Sequence, residues 1–96
     1  MRLSGLQRYI LGECFGTRGK VARRVFDKFY EGKDIRRKEM VGTITKTLER
    51  MIDKGLMVGL GVRTPKKWYI QEVRLTPLGR RVAKQMQGEQ QRLPLH

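Results

Sequence analysis

The sequence predicts a small, mostly helical α+β domain: three helices, a two-stranded β-hairpin and a last helix. Three observations carry this. Apolar residues recur at three- and four-residue spacing in four segments, and between residues 57 and 75 the period changes to two. The third is length, since 96 residues suffice for one domain but not two. Residues 1–88 are expected to fold, and residues 89–96 to form a frayed polar tail.

The first helix is expected over Ser4–Phe15. Ser4 followed by Gln7 matches a capping box, Leu3, Leu6, Ile10 and Cys14 form the apolar stripe, and Gly16 supplies a stop. A second helix is expected over Lys20–Tyr30. Val21, Ala22, Val25, Phe26, Phe29 and Tyr30 lie on one face, and Arg23, Arg24, Asp27 and Lys28 on the other. A polar connector, Glu31–Arg36, breaks at Gly32.

The third helix, residues 37–54, has the clearest pattern. Met40, Ile44, Leu48 and Met51, with Val41 and Ile52 beside them, mark a buried stripe. The opposite face carries Glu39, Gly42, Lys46, Glu49, Arg50 and Asp53, with Thr43 and Thr47 on its flank. Gly55 ends the helix and Leu56 folds back over its last turn, as in a Schellman motif. The hairpin follows as Met57–Arg63 and Trp68–Leu75, joined by Thr64-Pro65-Lys66-Lys67. In its second run apolar residues fall on both faces, so alternation alone leaves the inward side open. Thr76 and Pro77 then begin a helix with the stripe Leu78, Val82 and Met86.

Composition narrows the function. Lys and Arg total 22 against nine acids, a formal charge of +13. A domain this basic repels itself unless a polyanion or salt screens it, which puts nucleic acid first among partners and an anionic membrane surface second. No apolar run is long enough to span a bilayer, and no leader peptide is expected. The single cysteine, Cys14, fits a reducing intracellular setting and reads as a small core residue rather than a redox sensor. The only histidine is the last residue, His96, the only serine is Ser4, and there is no asparagine. A nucleophile–histidine pair would have to use that frayed C-terminal imidazole, a metal site lacks a His/Cys cluster, and no cofactor is expected. The stretch Gly16–Lys20 is the nearest approach to a phosphate loop. It would need glycine at Cys14 and Ser or Thr at Val21. The chain is therefore not expected to be an enzyme.

Three helices followed by a hairpin, with basic charge throughout, is the layout of a winged helix-turn-helix. Two segments strengthen it. The run Thr43-Ile44-Thr45-Lys46-Thr47-Leu48-Glu49-Arg50-Met51-Ile52-Asp53-Lys54-Gly55-Leu56-Met57 resembles the recognition helix of bacterial and archaeal winged-helix regulators. Leu75-Thr76-Pro77-Leu78-Gly79-Arg80-Arg81-Val82-Ala83 resembles the start of the post-wing helix in MarR- and PadR-like proteins. The Glu31–Lys38 connector is longer and more basic than the family's short turn.

The resemblance implies a cytoplasmic, nucleoid-associated regulator that binds double-stranded DNA as a homodimer through its first and last helices, with the apolar stripe on 78–86 and the residues Leu93 and Leu95 as candidate dimer surface. No effector is legible. On the third helix the candidate DNA contacts are Glu39, Gly42, Thr43, Thr45, Lys46, Thr47 and Arg50, and at its entrance Arg36, Arg37 and Lys38. On the wing they are Arg63, Thr64, Lys66 and Lys67. Small side chains keep the helix slim enough for a major groove roughly 12 Å wide, and with no asparagine, base reading falls to Arg, Lys, Thr, Glu and Gln. Competing readings remain for individual residues. Lys46 and Arg50 are otherwise solvated charges pairing with Glu49 and Asp53. Arg23, Arg24, Arg80 and Arg81 are phosphate contacts or solvated charges. Trp68 and Tyr69 either pack on the core or stack on bases. For the whole chain, the alternatives are an RNA- or ribosome-associated winged helix and a protein-interaction module.

Overall fold

The computed structural model describes residues 2–91, and the side chains of residues 2–88. The order is α1 (Gly5–Phe15), β1 (Val21–Ala22), a 3-10 helix (Arg23–Tyr30), α2 (Arg37–Asp53), β2 (Met57–Arg63), β3 (Trp68–Leu75) and α3 (Pro77–Gln91). The three strands form one antiparallel sheet in the order β1-β3-β2. The fold is α+β, mostly helical, with the β2–β3 hairpin as its wing. The last helix continues past Gly88 to Gln91, and the expected tail beyond it, with Leu93, Leu95 and His96, lies outside the described residues.

Helix α1 begins as its sequence requires. The Ser4 hydroxyl accepts from the Gln7 amide at 3.2 Å, and the Gln7 side chain accepts from the Ser4 amide at 2.9 Å. In α2 the stripe Met40, Ile44, Leu48 and Met51 is buried, whereas Val41, expected beside it, is 38% exposed. The helix closes with both bonds of a Schellman motif, Leu56 N–H to Met51 O at 3.0 Å and Gly55 N–H to Ile52 O at 2.9 Å. Gly55 has φ +77°, a left-handed conformation that a Cβ would strain. Thr76 links this turn to α3. Its hydroxyl donates to Gly55 O at 2.6 Å and accepts from the Gly79 amide at 3.0 Å.

The segment expected as a single helix over Lys20–Tyr30 is instead a short strand followed by a 3-10 helix. Val21 and Ala22 pair with Val73 and Glu72 on the otherwise open edge of β3, making a third strand that satisfies backbone groups there. The change of helix type has a consequence. Side chains three apart eclipse in a 3-10 helix, so Arg23 shares a side with the buried Phe26 and the half-buried Phe29. It leaves the outer polar face on which an α-helical period places it.

The wing resolves the ambiguous alternation. Leu60 pairs with Glu72 but Gly61 pairs with Ile70, leaving Gln71 unopposed. This bulge reverses the inward parity of β3, so Ile70 is buried on one side of it and Val73 and Leu75 on the other. The core gathers under the sheet from Leu6, Ile10, Leu11, Phe26, Ile44, Leu48, Met51 and Leu56, among others.

Candidate nucleic-acid interface

Helix α2 presents one face to the core and the other to solvent. Glu39, Thr43, Lys46 and Arg50 are exposed, Gly42 is half-exposed with open space where a Cβ would lie, and Thr45 and Thr47 are half-buried. Among the described residues one ion pair lies within 4.0 Å, Lys20–Glu72 at 3.9 Å. Lys46 and Arg50 are therefore unpaired, although Glu49 and Asp53 occupy the same helix. Both side chains are exposed, and their charge is open to an anion.

The threonines divide. Thr43 is exposed, but its carbonyl accepts the Thr47 hydroxyl at 2.9 Å. The Thr45 hydroxyl donates to Val41 O at 2.8 Å and accepts from the Arg23 guanidinium at 2.8 Å. Arg23 also donates to Val41 O at 3.2 Å and Ile70 O at 3.4 Å. One side chain on the 3-10 helix thus joins α2 to the bulged stretch of β3. Of the two readings the sequence left for Arg23, phosphate contact or solvated charge, the geometry matches neither: it is a strut. No local pattern signals this, because its partners are 18, 22 and 47 residues away.

Arg36, Arg37 and Lys38 are exposed at the start of α2. Arg36 is its N-cap and makes no side-chain cap bond, so the first amides of the helix point outward beside three cations.

The wing meets the second half of α2. A Cβ on Gly59 would come within 2.7 Å of Ile52 and 2.9 Å of Trp68, so the strand lies tight against the helix there. Trp68 is half-buried, and the Arg63 guanidinium sits 4.8 Å from its ring centroid. Together with Lys46, Glu49, Arg50 and Asp53 they line an open cleft of about 430 Å³ between helix and wing. Trp68 thus packs on the core while showing one part of its ring to the cleft. Lys66 and Lys67 are exposed at the tip, and Lys67 Nζ lies 5.2 Å from the Tyr69 ring centroid. The Thr64 hydroxyl is engaged within the turn, donating to Lys67 O at 2.8 Å and accepting its amide at 3.0 Å. It shapes the tip that carries the lysines.

Cys14 is buried, and burial, with Glu13 nearby, pushes its thiol up to about 12. It is a protonated core side chain at neutral pH. Of the last-helix stripe, Met86 is buried in the chain's own core together with Ala83, Val82 is half-buried, and Leu78 is 42% exposed. Among the described residues no group of three or more His, Cys, Asp or Glu is placed to hold a metal ion, and no helix is long and apolar enough to cross a membrane.

No family model matches the chain, and no curated protein matches it. Among solved structures it is similar to the adhesin competence repressor AdcR of Streptococcus pyogenes, with a TM-score of 0.62 and 13% identity over 94% of this chain and 59% of that one. It is also similar to a doubly substituted form of ZitR from Lactococcus lactis, with a TM-score of 0.63 and 18% identity over 95% of this chain and 55% of that one. The chain spans a little over half the length of these neighbours. At such identities the likeness concerns the fold. With its own order of helix, 3-10 helix, helix and hairpin, that fold is the winged helix-turn-helix.

Proposed function

We propose that this chain is a sequence-specific double-stranded DNA-binding protein that regulates transcription at the nucleoid. Helix α2 enters the major groove, and the β2–β3 hairpin grips the backbone with Arg63, Lys66 and Lys67. The observation that carries this reading is the solvent face of α2. Lys46 and Arg50 stand there without a counter-ion among the described residues, flanked by the cations of the wing tip and of the helix start. A neighbour of similar fold bearing the name of a repressor supports the same use. The remaining candidates, Glu39, Gly42, Thr43, Arg36, Arg37 and Lys38, lie exposed or half-exposed along or before the first turns of α2. Thr45 and Thr47 contribute chiefly by shaping it.

A homodimer completes the proposal, with α1 and α3 at the interface. Two copies would place two α2 helices on successive turns of DNA, half-sites roughly 34 Å apart. Light scattering at micromolar concentration is expected to give twice the chain mass, and a monomer would refute this part.

The binding test is a salt titration on duplex DNA, duplex RNA and single strands. Log affinity for duplex DNA is expected to fall linearly and steeply with log salt while RNA competes weakly. Equal affinity for RNA would overturn the proposal in favour of an RNA-binding winged helix. Lys46→Ala is expected to compress the difference between preferred and disfavoured sequences by about 1–3 kcal/mol. A loss equal on all sequences would show that Lys46 reads no base.

A further inference from the structure

The solvent surface of α2 divides into two stripes with different electrostatics. Lys46, Glu49 and Asp53 face the wing cleft, where cations and carboxylates mix. Thr47, Arg50 and Lys54, spaced three and four apart, face the start of α1. With Arg2, Leu3, Ser4 and Gln7 they line an open groove of about 430 Å³. Among the described residues this lining has three cations and no carboxylate. Arg50 stands on the ridge and borders both clefts.

The neutral polar groups of the groove are already satisfied. Ser4 and Gln7 bond each other in the capping box, and the Thr47 hydroxyl donates to Thr43 O. What is unmatched is charge, because none of Arg2, Arg50 and Lys54 has a carboxylate within 4.0 Å among the described residues. Part of this arrangement runs against helix electrostatics. Lys54, the C-cap of α2, is where a cation is favoured. Arg2 instead precedes the N-cap of α1, the positive end of a helix whose first turn has no acidic residue to offset it. A bound anion would relieve both the helix end and the repulsion among the three cations.

We infer that this groove is a phosphate-binding site, taking the nucleic-acid strand that passes on the α1 side of α2. The inference rests on the DNA-binding reading above. A helix about 10–12 Å across fills a major groove roughly 12 Å wide, so a sugar-phosphate strand flanks it on either side. The wing supplies cations to one flank, and Arg2, Arg50 and Lys54 supply them to the other. Base reading is then left to the stretch of α2 up to Lys46, between the two grips.

The test is the double variant Arg2→Ala/Lys54→Ala, both positions being exposed and outside the core. Its affinity for duplex DNA is expected to fall about tenfold at 0.1 M salt, equally on all sequences. Its log–log salt slope should shrink by roughly 2, near 0.9 per lost phosphate contact. Duplexes carrying single methylphosphonates should weaken the wild type at particular phosphates and leave the variant unaffected at those same positions. A wild-type slope in the variant, or a loss confined to some base sequences, would overturn the assignment.

A DNA-independent measurement uses inorganic tripolyphosphate with amide chemical shifts as readout. Shifts centred on Gln7, Thr47, Arg50 and Lys54 in the wild type, absent from the variant, are expected. No shift there refutes the groove whatever the DNA result. Shifts there in a protein that ignores duplex DNA would refute the DNA-binding reading and keep the groove as an anion site.

Discussion

The segments 20–30 and 57–75 each carry four basic residues, yet the fold commits them differently. In the first, Lys20 pairs with Glu72, and Arg23 donates to Thr45, Val41 and Ile70, leaving Arg24 and Lys28 exposed. In the second, Arg63 and Lys67 lie over aromatic rings, while Lys66 and Arg74 point to water. None of those four is in an ion pair among the described residues. Equal charge thus does two jobs. Near β1 it holds α2 to the sheet, and on the wing it stays available to an anion. Net charge alone measures only the sum.

The largest expected effect on folding is at Arg23. Arg23→Met keeps the apolar stem but removes the donors from three oxygens, and should cost about 2 kcal/mol in urea denaturation. Because the strut joins α2 to β3, the same variant should weaken duplex DNA binding less than additively with wing substitutions. Stability within about 0.5 kcal/mol of wild type would reduce Arg23 to a surface charge and erase the contrast.

Thr64→Ala comes next, with an expected loss of about 1 kcal/mol from the two hydrogen bonds that its hydroxyl makes in the wing turn. Amide exchange at Lys67, whose N–H bonds the Thr64 hydroxyl, should accelerate. Unchanged exchange would show that the turn holds without the hydroxyl, leaving it free for DNA.

The smallest effect on stability belongs to Lys66→Ala/Lys67→Ala, within about 0.5 kcal/mol for exposed side chains. Its effect on binding is the reverse. Affinity should fall on all duplex sequences alike, and the salt slope should flatten by roughly 2. A double variant that destabilises the fold but leaves the slope intact would exchange the roles assigned to the two segments.

Much of the architecture was legible because its causes are local. The capping box at Ser4, the Schellman stop at Gly55 and the cap at Thr76 depend on residues within a turn or two of each other. The stripe Met40–Ile44–Leu48–Met51 follows from helical period alone, and so does the outward placing of Lys46 and Arg50. The segment 20–30 departs from its sequence pattern for the converse reason. Its apolar spacing suits an α-helix, but the open edge of β3 draws Val21 and Ala22 into the sheet, and what remains winds as a 3-10 helix.

The sequence by itself determined the order of helices and hairpin, the buried stripe of α2 and the positive charge, since propensity, capping and period act over a few residues. Tertiary structure decided which cations are bound and which are free, and how the Gln71 bulge turns the wing's apolar residues inward. It also set Arg2 and Lys54 along one groove. Those outcomes depend on distances between residues far apart in the chain, and no local pattern encodes such distances.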